Sequence, residues 1–237
     1  MLAHQQARRC LRFLLASLAV LQEIRILNDK QLEQQLRRGI EAMSLEVSDQ
    51  QQALLMDYLR LLEKWNKAFN LTAVRDPAQM VDRHLLDSLS ILPYIKGPNC
   101  IDVGSGGGLP GIPVAIVRPD LNITLMDSNG KKSRFQFQAV TALKLTNVTV
   151  VNKRVEQYQP EQLFDQVMSR AFSSLQDMMH WTLHLGTENA EWLAMKGIYP
   201  EDELQQLPEG VTCKTVHRLD VAGADGERHL ALLQRGL

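Results

Sequence analysis

A glycine-rich segment, Gly104-Ser105-Gly106-Gly107-Gly108, restricts the possible fold of this chain more than any other feature of its sequence. The short apolar run Cys100–Val103 leads directly into it, and Pro110, a residue tolerated in a first helical turn, follows it. Glycines let the backbone turn sharply and approach a ligand closely. A strand that enters a helix through such a loop is typical of a parallel α/β sheet, whose ligands bind at the carboxyl ends of the strands.

Short apolar runs continue to the end of the chain. Helical stretches separate the first five, which predicts a parallel sheet with right-handed crossovers. A loop rich in glycine and aspartate joins the last two, after a predicted helix Glu201–Leu207, and this indicates an antiparallel hairpin. We therefore predict an α/β, Rossmann-like fold with about seven strands, mostly parallel, and helices on both faces. The seven runs are Cys100–Val103, Ile123–Met126, Val148–Val151, Gln166–Met168, Trp192–Met195, Val211–His217 and His229–Leu233.

The chain before Gly97 has a helical period instead. From Lys30 to Ala68 apolar residues recur at three- and four-residue steps, and Ser48 is placed to cap a second helix. A third helix is predicted from Gln79 to Leu92, before a proline. We divide the chain into a helical region, 30–97, and a ligand-binding domain, 98–237.

Residues 1–29 form an extra segment before these units. Arg8-Arg9 and the apolar run 10–21 superficially resemble a signal sequence, but Arg12 interrupts the run and no small-residue cleavage site follows. The run is shorter than the ~20 apolar residues that cross a bilayer. An amphipathic helix and an upstream translation start are both open interpretations.

Charge and cysteine content limit the class of protein. The net charge of -1, from 26 basic and 27 acidic residues, gives no overall basic excess, so any RNA-binding surface is a local patch. The three cysteines, Cys10, Cys100 and Cys213, are far apart and odd in number, which suggests neither a disulfide framework nor a metal site. We expect a cytoplasmic protein without a metal.

The glycine loop alone does not identify its ligand. Gly106-x-Gly108-x-x-Gly111 formally fits the dinucleotide pattern, which is a weak match by itself. Asp102 at the strand end suits the cationic amino group of a methionine moiety better than a pyrophosphate. Pro110 also removes an N–H donor where a pyrophosphate would need one. These two residues favour S-adenosylmethionine over NAD, with Asp102, Gly104 and Gly106 at the cofactor.

Three later strand ends supply further candidates. Asp127 ends the second strand, where a carboxylate can accept both ribose hydroxyls of an adenosine. Glu156 follows the third strand and either reads the adenine edge or belongs to a surface charge pair. Arg170 ends the fourth strand and either contacts a carboxylate or phosphate or forms a salt bridge in the sheet edge.

A set of segments in a fixed order carries a resemblance to a known family. The chain from about Leu32 to its C-terminus resembles the bacterial 16S ribosomal RNA guanine-N7 methyltransferase family, also called glucose-inhibited division protein B. The segments are Trp65–Thr72, Arg83-His84-x-x-Asp87-Ser88, Asp102–Gly106, Leu109–Pro113, Asp127-Ser128-x-Gly130-Lys131, Ser169–Phe172 and Lys196-Gly197.

The resemblance implies a class I methyltransferase fold, S-adenosylmethionine, and a target guanine in small-subunit ribosomal RNA, alone or within the small ribosomal subunit. It places cofactor contacts at Gly104, Leu109, Val155, Glu156 and Arg170. A NAD-dependent oxidoreductase and a non-catalytic ribosome assembly factor with the same fold are the alternatives.

Methylation of guanine N7 needs no general base, so we name no catalytic residue. His84 and Asp87 share a helix face at i and i+3, and we interpret them as a hydrogen-bonded pair that fixes the helical region against the cofactor loop rather than as acid–base partners.

Several charged and aromatic residues are candidates for RNA contact. Lys131, Arg154 and Lys196 are the predicted substrate-binding residues, and Lys132, Arg134 and Lys153 lie beside the first two. Phe135, Phe137 and Trp181 could stack on a base, but we expect core packing for all of them.

Overall fold

The computed structural model describes residues 27–170 and 172–236. The signal-like run, Cys10 and most of segment 1–29 therefore lie outside the described residues. Residues 27–29 are helical and continue without interruption into the helical region, so helix α1 covers 27–42. Among the described residues, no helix has both the length and the apolar character that crossing a membrane requires.

Helix α2, Asp49–Phe69, begins where the sequence predicts it. The Ser48 side chain accepts a hydrogen bond from the Gln51 N–H at 3.3 Å, and the Gln51 side chain accepts one from the Ser48 N–H at 2.9 Å. This reciprocal capping box satisfies two N–H groups that the helix itself leaves unpaired. The predicted cap at Ser48 is confirmed.

The predicted third helix has different ends and an irregular middle. It begins at Pro77 because the Asp76 side chain caps it, accepting from the Ala78 N–H at 3.1 Å. It ends at Leu89, since Pro93 has no N–H to donate to the Leu89 carbonyl. The predicted end at Leu92 was wrong for that reason. The segments are helix α3, Pro77–Met80; a π-helical stretch, Val81–Leu86; helix α4, Asp87–Leu89; and a 3₁₀ turn, Leu92–Tyr94.

One seven-stranded sheet forms the rest of the described fold, in the order β3-β2-β1-β4-β5-β7-β6. The first five strands are parallel, and β7 is antiparallel to both of its neighbours. Every predicted run lies inside an observed strand, so the predicted fold class is confirmed. The strands are β1, Asn99–Val103; β2, Asn122–Met126; β3, Val148–Val151; β4, Phe164–Ser169; β5, Gly186–Lys196; β6, Val211–Arg218; and β7, His229–Arg235.

Helices connect these strands on both faces. They are α5, Gly111–Val117; α6, Gly130–Ala142; α7, Leu175–Thr182; and α8, Glu201–Leu204. Helix α8 ends before the predicted Leu207, because the Gln206 N–H bonds to the Glu203 carbonyl in a three-residue turn.

Successive side chains of β1 point to opposite faces of the sheet and belong to two different cores. Ile101 and Val103 face a core shared with α7, whereas Cys100 faces a core shared with α5, α6 and the helical region. Leu36 of α1 and Leu230 of β7 belong to that second core and are fully buried. Burying such a leucine stabilises the fold by about 1.5–3 kcal/mol. The helical region is thus packed on one face of the sheet through a continuous core.

Candidate cofactor and substrate site

The glycine loop leaves β1 at the carboxyl edge of the sheet. Gly104 has a φ of 72° and Gly106 a φ of 57°, in the left-handed region that favours glycine. The N–H groups of Gly104 and Ser105 both donate to the Met126 carbonyl, at 2.9 and 3.1 Å. These bonds attach the loop to the end of β2.

Two buried side chains hold the loop from below. The Tyr58 hydroxyl donates to the Gly107 carbonyl at 2.5 Å, and burial raises the pKa of Tyr58 so that the hydroxyl keeps its proton. The Gln136 Nε2 donates to the Gly106 carbonyl at 2.8 Å and to the Ser105 hydroxyl at 2.9 Å. Sequence reasoning did not find either residue, because each is remote from the loop in sequence and lies in an ordinary helical pattern.

Asp102 lies under the loop rather than at its surface. Its carboxyl group is fully buried, and Oδ2 accepts a hydrogen bond from the Gly111 N–H at 2.8 Å. Oδ1 has no partner among the residues that the structure describes. Burial raises the pKa of Asp102 to about 7, although the Gly111 hydrogen bond and the charge of Arg170 oppose that shift. One buried acceptor therefore remains available at the base of the loop.

Asp127 links the loop to the end of β2. Its Oδ2 accepts from the Gly106 N–H at 2.9 Å, and its Oδ1 accepts from the Asn129 N–H at 2.8 Å. Lys132 Nζ lies 3.7 Å from Oδ2. A carboxylate has about four acceptor sites, so each oxygen keeps capacity for a ligand hydroxyl.

A cavity of about 180 Å³, which we call the loop cavity, opens beside Asp127. It brings together four of the predicted cofactor residues, Gly104, Asp127, Val155 and Glu156. The last two belong to a 3₁₀ turn after β3, with Val155 half-buried and Glu156 exposed. Arg154, a predicted substrate residue, also lines this cavity.

The other four predicted cofactor residues do not line the loop cavity. Asp102 lies beneath the loop, and Gly106 belongs to the loop itself. The Leu109 side chain is 4% exposed and packs in the core. Arg170 lines a different cavity at the end of β4.

That second cavity, the arginine cavity, measures about 130 Å³ and is lined by Asp87, Arg170, Lys196, Arg228 and His229 among others. Arg170 Nη1 donates to Asp87 Oδ2 at 2.9 Å, and Arg228 Nε donates to Asp87 Oδ1 at 3.0 Å. Asp87 therefore joins the helical region to both β4 and the segment before β7.

His84 and Asp87 do not form the predicted pair. The carboxylate of Asp87 is bonded to the two arginines, and the His84 ring lies between Thr72 and a carbonyl. His84 Nδ1 is 2.9 Å from the Arg83 carbonyl, which can only accept, so Nε2 accepts from the Thr72 hydroxyl at 2.9 Å. Burial and then the charge of Arg170 lower the pKa of His84 to about 4. His84 is a neutral structural residue, and Asp87 links the helical region to the end of β4 and to the segment before β7 rather than to the glycine loop.

The cationic candidates lie at two places on the carboxyl edge. Lys131, in the first turn of α6, is exposed, and Arg154 is exposed and lines the loop cavity together with Asp127. Lys196 ends β5, where its Nζ lies 2.8 Å from the Glu203 carboxylate and 3.4 Å from the Phe172 carbonyl. Phe172 lines the loop cavity and Lys196 lines the second one, so this hydrogen bond joins residues of the two linings.

The three aromatic candidates differ in their burial. Phe135 is fully buried against Tyr58 and Trp65, as expected. Phe137 is 53% exposed and Trp181 is 38% exposed, so the expectation of core packing was wrong for these two. Both lie on the outer faces of helices whose other sides cover the sheet, which sequence alone did not reveal.

Comparison with known proteins places the chain. A family model for rRNA small subunit methyltransferase G matches residues 51–231. The Ribosomal RNA small subunit methyltransferase G of Ectopseudomonas mendocina (strain ymp) is 55% identical over 206 residues, 86% of this chain and 96% of that protein. The protein of the same name from Stutzerimonas stutzeri (strain A1501) is 55% identical over 204 residues, 85% and 95% of the respective chains. The chain belongs to this family.

The fold agrees with membership of the methyltransferase G family. The O-methyltransferase TomG from Streptomyces achromogenes, solved in complex with S-adenosylmethionine, matches with a TM-score of 0.56 and 14% identity, over 85% of this chain and 96% of that chain. At that identity the likeness concerns the fold. Family membership confirms the prediction of an S-adenosylmethionine-dependent rRNA methyltransferase and does not support the NAD-dependent or non-catalytic alternatives.

The residues of this member fit S-adenosylmethionine. Asp102 Oδ1 is a buried acceptor without a partner, suited to a cationic amino group. A Cβ on Gly106 would meet nothing closer than 3.9 Å, so the loop surface at that point is open to a ligand. Asp127 adds the acceptors that a ribose needs.

Proposed function

We propose that this methyltransferase transfers a methyl group from S-adenosylmethionine to N7 of a guanine in 16S ribosomal RNA. The observation that carries the proposal is the loop cavity, which joins the glycine loop to the carboxylates of Asp127 and Glu156 and adjoins a second cavity lined by cations. The first arrangement suits a nucleoside, and the second suits an anionic polymer.

Three of the proposed cofactor residues have a specific role, and the others are contacts. Asp127 accepts the ribose hydroxyls, Glu156 faces the adenine edge, and Oδ1 of Asp102 accepts from the amino group. The remaining contacts fall on Gly104, Gly106, Leu109, Val155 and Arg170. Leu109 acts through its main chain, because its side chain is buried in the core.

The proposed reaction requires no general base from the protein. When bound, S-adenosylmethionine would supply a methyl group that is already activated by its sulfonium charge. Transfer to guanine N7 would form the N7–carbon bond as the sulfur–carbon bond breaks, so the positive charge moves to the guanine and no proton has to be removed. The chain's residues therefore bind, orient and exclude water. His84 is neutral, with both ring nitrogens hydrogen-bonded, which fits a site without a general base.

We further propose that Lys131, Arg154 and Lys196 contact the RNA. Arg154 is exposed in the lining of the loop cavity, and Lys131 is exposed in the first turn of α6, the helix that follows Asp127; both can reach phosphates there. Lys196 lies between the two cavities and can orient the substrate. The assembled small subunit as substrate and a cytoplasmic location belong to the same proposal.

A transfer assay tests the function. Purified protein is mixed with methyl-labelled S-adenosylmethionine and either small ribosomal subunits or naked 16S ribosomal RNA, each from cells that lack the native enzyme. We expect 7-methylguanosine at one position in digests of the RNA. Label in another nucleoside, or in ribosomal protein alone, would refute the guanine-N7 assignment, and the ratio of the two substrates identifies the preferred one.

A further inference from the structure

The arginine cavity lies where a methyl acceptor would have to enter. Seven of the eight proposed cofactor residues lie at or after the ends of β1, β2 and β3, and the eighth, Arg170, follows β4; the cavity is formed at the ends of β4 and β5 and the start of β7. Arg170 lines it from β4, Lys196 from β5 and His229 from β7. Lys196 donates to the carbonyl of Phe172, which lines the loop cavity, so one hydrogen bond joins the linings of the two cavities.

The cavity has a charged lining whose geometry is held in place. Asp87 is almost completely buried, with its side chain 4% exposed, and each of its oxygens binds a different arginine. Arg170 and Arg228 are partly exposed, at 28% and 23% of their side chains. The two arginines share the single Asp87 carboxylate, and Lys196 is paired with Glu203 at 2.8 Å, so the group keeps one cation in excess, which favours an electron-rich or anionic ligand.

His229 gives an independent indication of a ligand. Its side chain lines the cavity while the residue is only 5% exposed, and its Nδ1 has no hydrogen-bond partner among the described residues. The Tyr199 ring packs edge-on against it, with ring centroids 5.7 Å apart and planes at 87°. Buried polar atoms are normally hydrogen-bonded, so an unpaired ring nitrogen at a cavity wall is suited to a polar ligand atom.

Resting on the proposed function, we propose that the arginine cavity receives the base to be methylated and identifies it as guanine. Guanine presents O6 as an acceptor beside N1–H and N2–H donors. Arg228 and His229 can donate to O6, and the remaining lone pairs of Asp87 can accept from N1–H and N2–H. Adenine has the opposite pattern on that edge and would place its amino donor against the arginine. N7 stays free to face the loop cavity.

Two exposed apolar side chains at the rim fit an RNA substrate. Ile198 is 75% exposed and Tyr199 is 50% exposed in the loop after β5, where the Tyr199 ring packs on His229. A single-stranded loop offers unstacked bases that pack on such side chains. These residues would hold the neighbouring nucleotides while the target base enters.

Binding of a mononucleotide tests the proposal without the reaction. Guanosine 5′-monophosphate is titrated into the full chain, with S-adenosylhomocysteine present, and followed by calorimetry and by the ring resonances of labelled histidines. We expect the His229 resonance to shift, and adenosine 5′-monophosphate to bind about tenfold more weakly, as for other base-specific contacts. Arg228→Gln and His229→Gln should each weaken guanosine monophosphate binding about tenfold.

Matched variants separate recognition from general damage. Arg118→Gln, at a half-buried position, and His180→Gln, at an exposed one, change the same residue types outside the cavity and should bind the nucleotide as the wild type does. All four variants should keep the affinity for S-adenosylmethionine, and the Arg228 and His229 variants should raise KM for the RNA. Equal affinity for the two nucleotides, or unchanged binding in both cavity variants, overturns the proposal. A wild-type chain that methylates no guanine refutes the proposed function instead, whatever the nucleotide titration gives.

Discussion

The Asp127 carboxylate accepts a hydrogen bond from the main-chain N–H of Gly106 at 2.9 Å. The residue proposed to bind the ribose is therefore also the residue that holds the glycine loop against the end of β2. Since the other carboxylate oxygen accepts from the Asn129 N–H, one side chain holds both the glycine loop and the turn that leads into α6. Cofactor affinity and loop geometry should depend on it together.

Asp127→Ala should weaken S-adenosylmethionine binding at least about tenfold, because hydrogen bonds to a charged group each contribute about 1.5–3 kcal/mol. Isothermal titration calorimetry measures the change. Asp120→Ala, which removes an exposed carboxylate paired with Arg118, is the control and should leave the affinity unchanged. Equal affinities in the two variants would contradict the role of Asp127.

Asp102 should make the cofactor-free protein less stable as the pH rises. Burial raises its pKa from 3.8 to about 7, so between these values the folded chain binds a proton that the unfolded chain has lost. The free energy of unfolding should therefore fall across this window and level off above it. Asp102→Asn, a neutral isostere, should remove this fall, so that the variant gains stability over the wild type on going from about pH 5 to about pH 8. Urea unfolding at several pH values measures it, and parallel curves would contradict it.

Cofactor binding should release protons near neutral pH. A cationic amino group beside Oδ1 of Asp102 would lower the pKa that burial has raised, and the carboxyl group would lose its proton on binding. Calorimetry at about pH 6.5 in two buffers of different ionisation enthalpy counts the protons. Asp102→Asn should abolish the release. If the wild type releases none, the amino group does not lie against Asp102.

The fold was largely predictable because its elements have local causes. The apolar run that ends in glycines predicts strand β1, and Ser48 with Gln51 predicts the cap of α2. Predictions of helix ends were less accurate where a capping side chain sets the end, as Asp76 does at the start of α3. The exposure of Phe137 depends on which face of α6 meets the sheet, and that face is set by packing rather than by local sequence.

The site was predictable only where its residues adjoin strand ends. Asp127, Val155 and Glu156 follow their strands directly and do meet at one cavity. The partners of Asp87 could not be found in this way, since Arg170 and Arg228 are 83 and 141 residues away along the chain. The i and i+3 spacing suggested His84 instead. Only tertiary contact shows that the carboxylate turns toward the two arginines.

Tyr58→Phe should destabilise the loop while leaving the core intact. The variant keeps the ring packing but leaves the Gly107 carbonyl without its hydrogen bond, which we expect to cost about 1–3 kcal/mol. Because the loop forms one wall of the cofactor site, the affinity for S-adenosylmethionine should fall as well. Thermal unfolding and calorimetry measure the two effects. Tyr94→Phe, at the opposite edge of the sheet, is the control, and its hydroxyl should matter to neither quantity. A Tyr58 variant that loses stability but keeps full affinity would show that the bond supports the core and not the cofactor loop.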